Sequence, residues 1–340
     1  MASSPSLQEM TRNPFVLRLF VEALPSMQAA GLDLTRITRY DVYSGFVRQW
    51  FGREVGRLSM DQRVALGLSA GDDMGDVDPV VDAFELLCAL LAGEMLKANV
   101  LTVSFATVAP AASSSGTASG DTSAVERAVW QRVQAVADEW TSGGEAALVA
   151  QFGTLSRVEQ RKYGGDSATY AKRVIDTRLA FLDATIDAFA TTCPLRKCGD
   201  SLQFIHKSFW EYFCARLVLL SAGSASASPA QRLERATAAL AIPGRRIQAE
   251  PEVLYFLADR WQHDFSDTSD VARARQCLFE VVAASARGVG VEQGTAANAA
   301  TILNWMGEPM LKCAWDGVVL EGADLTRAVL CGSRGHYRYF

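Results

Sequence analysis

The chain lacks any apolar run long enough to cross a bilayer. Its most apolar window, residues 83–93, contains Glu85 and is followed at once by Glu94 and Lys97, and ionisable groups are costly inside a spanning helix. The opening Met-Ala-Ser-Ser-Pro has no basic-then-apolar order, so it does not read as a secretion signal. Basic excess is also missing. Thirty-three Lys and Arg stand against 38 Asp and Glu, a formal charge of -5, whereas a nucleic-acid-binding face shows a cationic surplus. No disulfide ladder is visible, because the seven cysteines (88, 193, 198, 214, 277, 313, 331) are odd in number and scattered. Reduced thiols and a cytoplasmic location are therefore expected, with no membrane and no nucleic acid among the partners. Metal-site spacing is absent, since Cys193 and Cys198 have no second pair and only His206 near them downstream. Histidine is scarce: of the three, His263 and His336 stand outside any motif and read as surface residues. Finally, no G-x-x-x-x-G-K-S/T occurs anywhere, so there is no phosphate-cradling loop, no lysine for a γ-phosphate and no hydroxyl for magnesium. No catalytic site and no metal site are expected in this chain by itself.

What is present is a globular composition, 49% hydrophobic and 21% charged over 340 residues, enough for two or three domains with a sizeable core. Helical signals dominate. Asn13 and Pro14 form a cap and a first helical residue for a helix over 11–24, ended by Leu24-Pro25. Thr38 and Asp41 make a cap pair. After them Tyr40, Tyr43, Phe46, Val47, Trp50, Phe51, Val55 and Leu58 follow at helical spacing, a stripe that reads as core. The aspartates from 72 to 78 lack the frame of a calcium loop and read as a solvated linker. Asp78-Pro79 starts a helix running to about Lys97. Residues 109–123, nearly free of large side chains, read as a mobile insertion. A helix over about 168–191 places Ile175, Leu179, Leu182, Ile186 and Phe189 in one seam. Further helices are expected at about 229–240, 251–262, 270–286 and 295–306, opened by Ser228-Pro229, Glu250-Pro251, Ser269-Asp270 and Thr295.

One stretch, residues 201–217, carries most of the chemistry. Leu202, Phe204 and Ile205 read as a short strand after the turn-forming Lys197-Cys198-Gly199-Asp200. Ser208 and Glu211 stand at capping-box spacing, and Phe209, Phe213, Leu217 and Leu220 continue as an apolar helical face. His206 lies just outside that helix start, where free amides and a partial positive charge favour an anion. Its ring either serves such an anion or simply braces the hairpin by a hydrogen bond.

Phe204, His206, Ser208, Phe209, Glu211, Tyr212, Phe213 and Ala215 together resemble the winged-helix motif F-x-H-x-S-F-x-E-Y-F-x-A of NACHT-type (STAND) signalling ATPases. The resemblance implies that His206 touches the β-phosphate of ADP and helps lock an inactive state. Asn13-Pro14-Phe15-Val16-Leu17 is similar to the family's N-P-F-x-L segment, which would place Pro14 on the adenine; Arg12 stands where members often carry glycine. Tyr43, Phe46, Trp50, Arg53 and Glu54, and the Pro194-Leu195-Arg196 arm before the hairpin, fit the same family. Near the carboxyl end Leu320, Leu325 and Leu330 recur every fifth residue, with Ala323 and Ala328 two before the second and third. That pattern resembles a pentapeptide repeat, whose β-helix turns the central leucine and the small residue inward. A stub this short cannot bury its apolar face without neighbours stacked on it.

The expected fold is mainly α, in five parts. A helical subdomain spans 1–60, and a winged-helix subdomain with one β-hairpin spans 61–222. A helical unit follows at 223–310, then a pentapeptide stub at 311–332 and a tail at 333–340. The resemblance implies a regulatory fragment or degenerate member of a NACHT-type signalling NTPase, a nucleotide-dependent switch and oligomerisation module that is not itself catalytic. ADP or ATP is implied only for an intact module, and no cofactor for this chain alone. Protein partners or self-oligomers are expected. The alternative is a non-enzymatic interaction scaffold with pentapeptide repeats and no nucleotide role.

Overall fold

The computed structural model of the chain describes residues 12–29, 31, 36–57, 78–104, 149, 152–153, 157–162, 164–172, 192–199, 201–225, 227–262, 269–290, 294–310, 316–326 and 328–329. The aspartate linker at 72–77, the insertion at 109–123, the seam from Ile175 to Phe189, Leu58, His263, His336 and Leu330 lie outside them. Among the described residues the fold is mainly helical, with one small antiparallel sheet. The chain divides into two compact units, residues 1–46 with 214–340 and residues 47–213.

The first unit opens with α1 (Pro14–Ala29). Asn13 caps it as expected: its Oδ1 accepts from the amides of Phe15 at 2.9 Å and Val16 at 3.5 Å. The helix does not stop at Pro25 but carries it inside. Pro25 lacks the amide that would bond the Val21 carbonyl, and Val21 is an exposed residue of the helix. Burial of Met27 keeps the last turn in place. It lies against Gly45, where an added Cβ would stand 3.2 Å from the Met27 Cγ.

The second helix, α2 (Arg39–Arg57), begins on the expected box. Thr38 N donates to Asp41 Oδ2 at 2.9 Å and Asp41 N donates to Thr38 Oγ1 at 3.2 Å. Its aromatic stripe is core, with Tyr40, Tyr43, Phe46 and Phe51 buried. Within the first unit, Arg39 Nη1 pairs with Glu252 Oε2 at 2.5 Å, and its guanidinium lies 4.1 Å over Phe256.

The helical set that follows matches its expected bounds closely: α6 (Pro229–Leu240), α7 (Pro251–Gln262), α8 (Asp270–Ala284) and α9 (Thr295–Trp305). Ser228 and Ser269 are side-chain caps, the first in a full capping box with Gln231. Every residue of α9 from Thr295 to Leu303 is buried. A buried amide has to satisfy its polar atoms, and Asn298 does so on neighbouring backbone. Its Oδ1 accepts from Ile247 N at 2.9 Å and its Nδ2 donates to Leu240 O at 2.8 Å.

The segment from residue 316 is laid on this helix. Thr301 Oγ1 accepts from Asp324 N at 2.9 Å, and Asn304 Nδ2 donates to the carbonyls of Asp324 at 3.0 Å and Thr326 at 3.1 Å. Two turns repeat at a five-residue interval: Ala323 N donates to Leu320 O and Ala328 N to Leu325 O, each at 2.9 Å. Leu320 is buried and Gly322 takes a left-handed φ of +78° in the first turn.

In the second unit, α3 (Asp78–Ala98) is buried on every side from Phe84 to Leu96. It ends where Asn99 adopts a left-handed φ of +55°, with Val100 N donating back to Met95 O at 3.0 Å, a Schellman-type stop. The sheet contains β1 (Val103–Ser104), β2 (Leu195–Cys198) and β3 (Ser201–Phe204), with β3 in the middle and both pairings antiparallel. Between β1 and β2 the described residues include α4 (Arg157–Lys162), and Asp166 caps the turn at Ala168 and Thr169.

Candidate functional site

The site of interest is the junction between the hairpin and α5 (Lys207–Gly223). The hairpin register pairs Leu195 with Phe204, Arg196 with Gln203, Lys197 with Leu202 and Cys198 with Ser201. Alternation then sorts the faces. On β3 it holds, with Leu202 and Phe204 buried between half-buried Ser201 and Gln203, whereas on β2 only Leu195 is buried and Arg196, Lys197 and Cys198 are all exposed. The reversal itself needs a left-handed residue, and Gly199 supplies it at φ +61°. Ile205 N donates to Pro194 O at 3.0 Å and closes the base.

Helix α5 is fixed by its aromatic face. Phe209, Trp210, Tyr212 and Phe213 are all buried. The indole of Trp210 donates to Ala92 O at 3.2 Å, and the Tyr212 hydroxyl donates to Glu85 Oε1 at 3.1 Å. Phe213 stacks tilted on Phe204 with centroids 5.6 Å apart. Glu85 read in the sequence only as an interruption of an apolar window. Its partner lies 127 residues away, and the one local signal was a carboxylate in the otherwise apolar window 83–93.

His206 is exposed at the head of this rigid base. The helix begins at Lys207, two residues earlier than a Ser208 cap would place it. His206, not Ser208, closes the first turn: its carbonyl accepts from Phe209 N at 3.1 Å and its Nδ1 accepts from Ser208 N at 3.2 Å. The Ser208 hydroxyl also meets Nδ1, at 2.6 Å. An amide can only donate, so Nδ1 must carry a lone pair, and the proton of the neutral ring sits on Nε2. Glu211, expected to reach back to the cap amide, pairs with Lys207 Nζ at 3.1 Å. The bracing reading of the histidine is the one these contacts show. Nδ1 braces the helix start, and Nε2–H is a donor on the opposite edge.

Pro14 is the exposed first residue of α1 and belongs to the first unit, whereas His206 belongs to the second. Its ring is accounted for by the helix start, with Asn13 capping beside it. Among the described residues no group of three His, Cys, Asp or Glu could hold a metal ion, and no helix is long and apolar enough to cross a membrane. Compared with protein-family models, curated proteins and solved structures, the chain matches none.

Proposed function

We propose that the chain is a regulatory segment of a NACHT-type signalling NTPase, a nucleotide-responsive switch and oligomerisation module that is not catalytic by itself. The observation that carries this reading is His206, presented at a helix start on a buried aromatic base with its Nε2 edge carrying a proton. That is the group a β-phosphate oxygen requires. The strand order supports a winged-helix subdomain at this place, since among the described residues α4 lies between β1 and the hairpin and all three strands form one antiparallel sheet. The two turns at a five-residue interval support a pentapeptide stub. In an assembled module, ADP on His206 would favour one of two packings, and exchange for ATP would release it. Pro14 would meet the adenine. The partners are protein surfaces, the ATPase core first among them.

A titration with labelled ADP, on the chain alone and with a separately supplied ATPase core, tests this. Binding is expected only when the core is present, and weaker with His206→Ala. Core-independent folding with no ADP response in either arm sinks the nucleotide role.

A second reading, an interaction scaffold without nucleotide, is favoured by the 316–329 segment. It is seated on α9 by bonds from Thr301 and Asn304 to its backbone and from the Trp305 indole to the Asp324 carboxylate, and nothing in that seating calls for a ligand.

A further inference from the structure

Helix α1 is apolar on two sides. Its inward side is Val16, Leu19, Ala23 and Met27, all buried. At about 100° per residue, Leu17, Val21 and Pro25 fall on the far side of the helix, one turn apart. All three are exposed, Leu17 to 40% and Val21 to 60%. A surface helix ordinarily carries polar residues on that side. Single exposed apolar residues need no explanation, but a stripe over successive turns does. The helix has two charged residues, Arg18 and Glu22. They stand four apart along one flank of the stripe, with Arg18 Nε 3.0 Å from Glu22 Oε1 and the Arg18 side chain 78% exposed.

We propose that this face binds a second copy of the chain, the two α1 helices packed antiparallel across a twofold axis near Leu19 and Phe20. A twofold contact is isologous: where one residue meets another of the second copy, the reverse contact is made as well. An axis at the middle of the stripe brings Leu17 of one copy onto Val21 of the other. The same axis brings Arg18 onto Glu22, and each contact is made twice. Both charges of the helix then meet their opposites, so the face is complementary to itself. The apolar stripe supplies the burial. A face of about four turns covers less than a standard interface, so the pair is weak and concentration-dependent. Exposed Pro14 opens the same face, so pairing and the adenine contact proposed for Pro14 exclude each other. That exclusion rests on the nucleotide reading; the pairing itself does not, and it serves the scaffold reading equally.

The full chain is sedimented to equilibrium over a wide range of concentration at low salt, where exposed charges are least screened. Val21→Asp, Arg18→Glu, Glu22→Arg and the double exchange are run beside it. The parent should shift from monomer to dimer as its concentration rises. Val21→Asp should abolish the shift. Arg18→Glu or Glu22→Arg should weaken pairing by roughly tenfold, because each sets like charges together across the axis. Combining both exchanges in one chain, or mixing the two single variants, should restore it, since opposite charges then meet again. Melting curves of dilute samples should match the parent's, which separates lost pairing from lost folding. A monomer at every concentration would overturn the proposal and leave the face to a different protein. So would dimers that survive Val21→Asp, or a mixture of the single variants no tighter than either alone. A chain that binds ADP beside the core yet stays monomeric refutes the pairing alone, and one that pairs with no ADP response supports the pairing and refutes only the nucleotide reading.

Discussion

A substitution series at residue 206 can separate the two edges of one ring. Asparagine places its Oδ1 near the position of Nδ1, so His206→Asn keeps an acceptor for the Ser208 amide and removes the Nε2–H donor. Alanine removes both. Losing a helix-capping acceptor costs about 0.5–2 kcal/mol. The same loss at a phosphate, a hydrogen bond to a charged group, costs about 1.5–3 kcal/mol, or roughly ten- to a hundred-fold in affinity. His206→Asn should therefore melt like the parent while binding ADP more weakly in the presence of the ATPase core. His206→Ala should lose both properties. Melting is followed by near-ultraviolet circular dichroism, which senses the aromatic face of α5, and ADP binding by fluorescence anisotropy. If His206→Asn binds ADP like the parent while His206→Ala is merely less stable, the ring is only a brace. The nucleotide role would then be wrong.

Three further outcomes follow from burial. Phe213→Ala empties a fully buried site against Phe204 and Tyr212 and should cost roughly 3–5 kcal/mol in urea unfolding; an effect under about 1 kcal/mol would mean the α5 face is not core. Asn298→Ala strands the Ile247 amide and the Leu240 carbonyl, about 1–3 kcal/mol each, and a near-neutral result by calorimetry would refute the staple. Burial first, and Glu280 second, push the Cys277 thiol up to about 11 from 9.0, with Arg232 opposing. Folding therefore favours the neutral thiol, so its contribution is whole below pH 9.0 and is lost as pH rises towards 11. Cys277→Ala should show a smaller loss of urea midpoint across that window than the parent, and equal slopes would contradict the burial.

Local chemistry made much of the fold legible. Ser228-Pro229, Ser269-Asp270, Thr38 with Asp41, and Asn13-Pro14 each announced a helix start that the backbone bonds bear out. What stayed illegible was whatever depends on distant partners. The Tyr212–Glu85 bond, the seating of Asp324 on Thr301, and the bond from the Trp50 indole to Thr192 O join residues with no periodic relation in sequence. Period and spacing describe one element at a time and carry no record of which two will meet.

The two misplaced helix boundaries share one cause. At Pro25 a local rule stops the helix, and at Ser208 another starts it, yet burial and the hairpin decide both. Met27 gains a core position only if α1 continues past the proline, and Val21, whose carbonyl loses its bond, is an exposed residue. At the other boundary, Ile205 is held to Pro194, so the chain reaches residue 206 already turning, and the next acceptor available to the first free amides is the imidazole. A histidine in that position serves as a cap only while Nδ1 is a lone pair. That requirement places the proton of the neutral ring on Nε2. The H-x-S spacing is thus a fold signal with a chemical consequence: satisfying the helix end is what selects the ring tautomer.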